Sequence, residues 1–227
     1  RDKNDFVASI YLKQQPLKSS WSFPEAGGFR IWGLGGRWAS AGPDDGKRGD
    51  ENVVVVGEMA GEGAAQPRFF EGEMDGSGVV SMDMDNVFEN NGFESLRSFA
   101  VDYSGVSGVP GLFVVVDRFS GDTLEKVWVM HTQEQVVVED NGFLLKADSG
   151  ATMRATFVTP TEIKVDVEEA ERGGKILVSG GENFFVVMTV QNGIAPEVEI
   201  SGSGLDAEVR VGERMIFFRE DKIILEK

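Results

Sequence analysis

Thr152-Met-Arg-Ala-Thr-Phe-Val158, then a break at Pro160-Thr161, then Glu162-Ile-Lys-Val-Asp-Val167: these two runs decide the fold. Polar and apolar residues alternate in both. Successive side chains of an extended strand point to opposite faces, so each run sets one face in a core and the other in water. Ala207-Glu-Val-Arg-Val211 repeats the pattern, and Glu125-Lys-Val-Trp-Val-Met-His131 reads as a further strand. Val53 to Val56, Leu112 to Val116 and Phe184 to Val190 are instead continuously apolar, which suits central strands covered on both faces. Turn pairs punctuate the runs: Asp75-Gly76, Asn91-Gly92, Asn141-Gly142, Gly173-Gly174, Gly180-Gly181 and Asn192-Gly193. Windows compatible with helix are short. The chain is expected to be all-β, a large antiparallel two-sheet β-sandwich.

No repeat of fixed period is present, which sets aside propellers and solenoids. Gly42-Pro-Asp-Asp-Gly-Lys-Arg-Gly-Asp-Glu51 is polar and glycine-rich between apolar strands, and is expected to be a long exposed loop. Residues 1–227 read as a single domain, large enough to bury a substantial core. The apolar runs are strand-sized, far short of a bilayer span, so no membrane insertion is expected. With no cysteine there are no disulfides and no thiolate metal sites, and the redox compartment stays open. A net charge of −16, with Lys and Arg scattered along the chain, repels nucleic acid and anionic membranes. It also opposes a tight grip on acidic glycans unless a local cluster or a basic partner domain supplies the cations. The charged start RDKNDF, without Met or a signal peptide, reads as a mature fragment or an excised domain.

Several segments follow one another in a telling order. Phe6-Val-Ala-Ser-Ile-Tyr-Leu12 precedes SFPEAGGFRIWGLGGRWASAG (residues 22–42) and Asn52-Val-Val-Val-Val-Gly57. Arg97-Ser-Phe-Ala-Val101, Pro110-Gly-Leu-Phe-Val-Val-Val-Asp-Arg-Phe119 and Trp128-Val-Met-His131 come after them. The series resembles the β-sandwich domain of heparinase II/III-like polysaccharide lyases, a group that includes alginate and heparan lyases. The resemblance implies the sandwich of such an enzyme, or of a degenerate relative. Its work would be to support recognition or degradation of acidic polysaccharide by an α-helical toroid domain, which is expected upstream and lies outside these residues. It also implies a secreted or periplasmic protein. The competing reading is a non-catalytic carbohydrate-binding or structural cell-surface module.

In that family an H-x-H-x-D setting, an aspartate past the next strand and a W-x-x-H histidine together hold a structural zinc. Here Ser20-Trp-Ser-Phe-Pro-Glu25 stands at the first place and Ser40-Ala41-Gly42 at the second, so His131 is the one metal candidate left. A lone imidazole cannot close a zinc shell, and Glu25, Asp44 or Asp45 beside it would suit a harder ion. No cofactor is expected. His131 reads as a part-buried strand residue with hydrogen-bonded ring nitrogens.

Elimination at a uronic acid needs a base, an acid and a group to neutralise the carboxylate. The family draws most of these from the helical domain, and Tyr11 and Tyr103 sit where packing explains them. No catalytic residue is expected in this chain, and in isolation it should be inactive. Glu71 and Glu73, like Asp83 and Asp85, stand two apart on a strand, which marks a solvated face more than a glycosidase pair. Gly33 to Gly36 lacks the Lys-Ser/Thr and the helix of a phosphate loop. Asp44-Asp45-Gly46 with Asp50-Glu51 lacks EF-hand spacing. Trp21, Phe23, Phe29, Trp32 and Trp38 cluster early, and alternation gives both faces of their strand apolar groups, which favours packing. Trp32 and Trp38, with Arg97, are the candidate sugar contacts.

Overall fold

The structure, a computed structural model, describes residues 5–15, 24–42, 47–88, 92, 94–121, 123–170 and 173–227. The first strands are β1 (Val7–Ile10), β2 (Phe29–Gly33), β3 (Gly36–Ala39), β4 (Val54–Val56), β5 (Gln66–Gly72) and β6 (Gly78–Asp83). Then come β7 (Glu94–Asp102), β8 (Gly111–Ser120), β9 (Lys126–Thr132), β10 (Gln135–Glu139), β11 (Gly142–Lys146) and β12 (Ala151–Thr159). The chain closes with β13 (Lys164–Ala170), β14 (Gly173–Ser179), β15 (Phe184–Asn192), β16 (Val198–Ser201), β17 (Glu208–Val211), β18 (Arg214–Arg219) and β19 (Lys222–Glu226). Among the described residues the helical elements are short 3₁₀ turns, and no helix is long and apolar enough to cross a membrane.

Every pairing among these strands is antiparallel, and they form an all-β sandwich of four sheets. An eight-stranded sheet, in the order β10-β11-β12-β15-β8-β7-β6-β5, lies in the middle. One face carries β1-β2-β3 and β13-β14-β9-β4; the other carries β16-β17-β18-β19. The apolar runs explain this third layer. On β15, Phe184, Val186, Met188 and Val190 enter one core while Phe185 and Val187 enter the other. On β8, Phe113 and Val115 alternate in the same way with Leu112, Val114 and Val116. A strand apolar on both faces has to be covered on both, at roughly 1.5–3 kcal/mol per large side chain removed from water.

The first core is roofed by Phe29, Ile31 and Trp38 of the small sheet and by Trp128, Met130 and Ile176 of its neighbour. Val209, Val211, Ile216, Phe218 and Ile223 roof the second. Two expectations need correction. Val53 to Val56 does not make a central strand: β4 is the edge of its sheet, paired with β9 alone, and Val55 owes its partial cover to the Arg48–Asp50 turn beside it. Nor is the 42–51 segment exposed throughout, because Arg48, Asp50 and Glu51 are buried. Asp44 and Asp45 lie outside the described residues, as do Asn91, Trp21 and Phe23.

Candidate functional site

Strand β2 alternates Phe29, Ile31 and Gly33 into the core with Arg30 and Trp32 away from it. Register sets Trp32 opposite Val7 on one side and Arg37 on the other, and Arg30 opposite Ser9. Tyr11 follows β1 and stays tied to the sheet, donating its N–H to the Gly28 carbonyl at 2.9 Å. The Arg30 guanidinium lies 5.9 Å from the centre of the Tyr11 ring. Tyr11, Arg30, Trp32 and Arg37 therefore share the outer face of β1-β2-β3, with Trp32 and Tyr11 each 45% exposed. Arg30 also pairs with Glu51, whose carboxyl burial pushes up and Arg30 pulls back down. The Arg37 guanidinium donates to the neutral Gln133 amide at 2.9 Å and so keeps its charge available at the surface.

This face belongs to the part of the chain where charge is balanced. Residues 1–57 hold eight Lys and Arg against seven Asp and Glu, so the whole negative excess arises from residues 58–227. Lys and Arg are scattered along the whole chain; it is Asp and Glu that concentrate after residue 57.

Beneath the face lies a buried polar hub. Arg97, 1% exposed on β7, grips Asp117 of β8 with two bonds of 2.6 and 2.8 Å. Its Nη1 donates to the carbonyls of Gly27 at 2.7 Å and Asn52 at 2.9 Å. Asn52, fully buried, donates through Nδ2 to the carbonyls of Phe29 (2.6 Å) and Ser40 (2.9 Å) and accepts the His131 backbone N–H at 2.7 Å. One guanidinium and one amide thus lock the central sheet, β2, the end of β3 and β9 together. Arg48 does similar work nearby, donating to the carbonyls of Val54, Pro24 and Ala26; burial lowers it to about 9, which leaves it cationic at neutral pH. Nothing in the sequence marks Asn52, Asp117 or Arg48 as a hub, because their partners are backbone carbonyls whose positions only the fold defines.

The candidates named from sequence divide accordingly. Trp32 is on the exposed face. Trp38 is fully buried, its indole N–H donating to the Gly33 carbonyl at 2.9 Å. Arg97 is enclosed in the hub. His131 is 2% exposed, with Nε2 3.0 Å from the Gly49 carbonyl, so that nitrogen carries the proton. Burial holds its pKa below the usual value, and Nδ1 has no partner among the described residues. Around it, no group of three or more His, Asp or Glu side chains among the described residues could hold a metal, and the one imidazole uses Nε2 for a carbonyl. These donors do not fit a zinc site.

Tyr103 stacks on Phe6 at 5.6 Å and meets Phe113 edge-on at 5.9 Å. Burial pushes its phenol up to about 12, the wrong direction for a general base. Asp83 and Asp85 cap local backbone, accepting the N–H of Asp85 at 2.9 Å and of Ser95 at 2.5 Å respectively. Glu71 and Glu73 are exposed.

No protein-family model matches the sequence, and no curated protein matches it. Solved structures do. Heparan sulfate lyase HepC from Pedobacter heparinus superposes with a TM-score of 0.72 over 99% of this chain and 40% of that chain, at 13% identity. Heparinase III gives 0.59 over 92% of this chain and 36% of its own, also at 13% identity. The chain spans about two fifths of the length of these relatives. What it shares with them is the fold, an all-β sandwich of the kind these two heparinases contain.

Proposed function

We propose that this chain is the β-sandwich part of a heparinase-like polysaccharide lyase, and that the outer face of β1-β2-β3 contacts the acidic polysaccharide. One observation carries the reading: Trp32 and Tyr11 are exposed beside Arg37, with Arg30 paired to Glu51 below them, on the charge-balanced part of an otherwise strongly acidic protein. Aromatic rings offer apolar faces to sugars, and guanidinium forks suit carboxylate and sulfate groups. The same reading makes the chain a secreted or periplasmic partner of a helical catalytic domain, not the catalyst. It assigns His131 to structure and no zinc to the chain.

A heparin-derived octasaccharide titrated against the protein tests the face. Trp32→Ala or Arg37→Ala should weaken binding about fivefold each, with thermal stability unchanged. Binding that ignores both substitutions would refute the assignment. The unmodified chain should yield no unsaturated-uronate absorbance from heparan sulfate or alginate, and metal analysis should find far less than one zinc per chain; stoichiometric zinc would overturn the reading of His131.

A further inference from the structure

The central sheet ends at β5, and the last half of that strand is open. The β5–β6 hairpin closes with Glu73 donating its N–H to the Ser77 carbonyl at 2.8 Å and Gly76 donating to the Glu73 carbonyl at 3.1 Å, with Gly76 at φ 90°. Hydrogen-bonded and non-bonded pairs alternate along an antiparallel ladder. Glu71 opposite Val79 is then a bonded pair, while Phe70 opposite Val80 and Gly72 opposite Gly78 are not. The backbone N–H and C=O of Phe70 and Gly72 therefore point away from β6, and no described element takes them. The first half of β5 is guarded differently, by Pro67, by a bulge between Pro67 and Phe69, and by the Arg68–Asp221 ion pair at 2.7 Å.

Both faces beside this open edge are hollow. On one, a groove of about 500 Å³ has Phe6, Phe70, Val80, Val101 and Tyr103 among its walls. On the other, a cavity of about 650 Å³ is lined by Phe69, Val79, Ile223 and Leu225, with Arg214 and Asp102 at its polar end. Phe70 is 81% exposed and Met74, at the hairpin tip, is fully exposed. Glu71, Glu73 and Asp75 rim the edge, are exposed, and form no ion pair among the described residues.

We infer that the Phe69–Gly72 edge of β5 is a strand-addition site for an extended segment of another polypeptide, apolar at alternating positions and basic beside Glu71, Glu73 and Asp75. A strand laid along the edge pairs with the free backbone of Phe70 and Gly72; its alternating apolar side chains share one face and enter one hollow, while the side chains between them lie along the other. Charge selects the occupant. Glu71 and Glu73, without an ion-pair partner among the described residues, and Asp75, which accepts the Ser77 N–H, attract a segment carrying Lys or Arg, whereas a second copy of this chain would set Glu71 and Glu73 against their own kind.

The test uses the full 227-residue chain and a fluorescein-labelled peptide, Lys-Lys-Val-Thr-Val-Thr-Val, with a Glu-Glu-Val-Thr-Val-Thr-Val control. The basic peptide should bind and slow hydrogen exchange at the Phe70 and Gly72 amides, and the acidic control should bind at least roughly tenfold more weakly. Phe70→Pro removes one outward donor and should weaken binding about tenfold, while circular dichroism and thermal midpoint stay near wild type. Glu71→Lys with Glu73→Lys should reverse the preference between peptides, which keeps the test open if Phe70→Pro fails to fold. No binding of either peptide, or binding without protection of Phe70 and Gly72, overturns the assignment. So does a dimer in sedimentation that Phe70→Pro abolishes, since that gives the edge to a second copy.

Discussion

Replacing Arg97 by Met asks whether the buried hub holds the layers together. Arg97 and Asp117 are 1% and 2% exposed, so the substitution strands a carboxylate in the interior and removes the donor that Gly27 and Asn52 carbonyls use. Losing one partner of a buried pair costs about 3–5 kcal/mol, because the remaining charge is left uncompensated. The orphaned carbonyls add about 1 kcal/mol or more. The total, about 5 kcal/mol, is a large share of the roughly 5–15 kcal/mol by which domains are stable. With a guanidinium chloride dependence of roughly 5 kcal/mol per molar, the unfolding midpoint should fall by about 1 M. Asp117→Leu alone should cost a comparable amount, yet Arg97→Met with Asp117→Leu should recover much of it, since the pair is then replaced by apolar groups of similar bulk. Equilibrium denaturation of all four proteins gives the coupling energy, expected at about 3 kcal/mol. A coupling below roughly 0.5 kcal/mol would show that the hub is not energetically a unit. A single-variant loss under 1 kcal/mol would show that water reaches the site, and would return Arg97 to the list of sugar contacts.

Two further outcomes follow from local geometry. A methyl at Gly42 would lie 2.5 Å from the Asp50 carbonyl oxygen and 2.6 Å from the His131 ring, so Gly42→Ala should cost about 1–3 kcal/mol in denaturant unfolding and shift the His131 ring signals in NMR; an unchanged spectrum would mean the contact is not there. Tyr103, held up at about 12, favours the neutral phenol when folded, so its contribution to stability is present below the ordinary value of 10 and is lost as pH rises from 10 towards 12. Ultraviolet titration should show a late phenolate step that Tyr103→Phe removes, and ionisation of Tyr103 near pH 10 would contradict its burial against Phe6 and Phe113.

The sequence made the strands legible because periodicity is a local property. Thr152 to Val158 and Glu162 to Val167 became β12 and β13 within three residues at each end, and Asp75-Gly76 became the turn between β5 and β6. Leu112 to Val116 and Phe184 to Val190 read as strands covered on both faces, and β8 and β15 are, by the first core on one side and by β16 to β19 on the other. Val53 to Val56 offered the same pattern and led elsewhere: Val54 and Val56 face the first core, while Val55 on the other side has only partial cover from the Arg48–Asp50 turn, a segment whose charged residues read as solvent-facing.

Polar residues were the hardest to place, for a single physical reason. An arginine in water and an arginine on buried carbonyls are the same letter, and what separates them is where the chain brings Gly27, Ala26 and Asn52 in space. Arg97 and Trp38 therefore read as ligand contacts but close the interior, whereas Trp32 and Arg37 reach the surface because alternation on β2 and its cross-strand neighbour on β3 turns them outward. The hub and the face are one construction. Asn52 holds the carbonyls of Phe29 and Ser40, the residues that carry β2 and the end of β3, so the polar interior fixes the plane from which Trp32 and Arg37 project. A loss of Arg97 should therefore be felt first as disorder in the exposed face, before any loss of the central sheet.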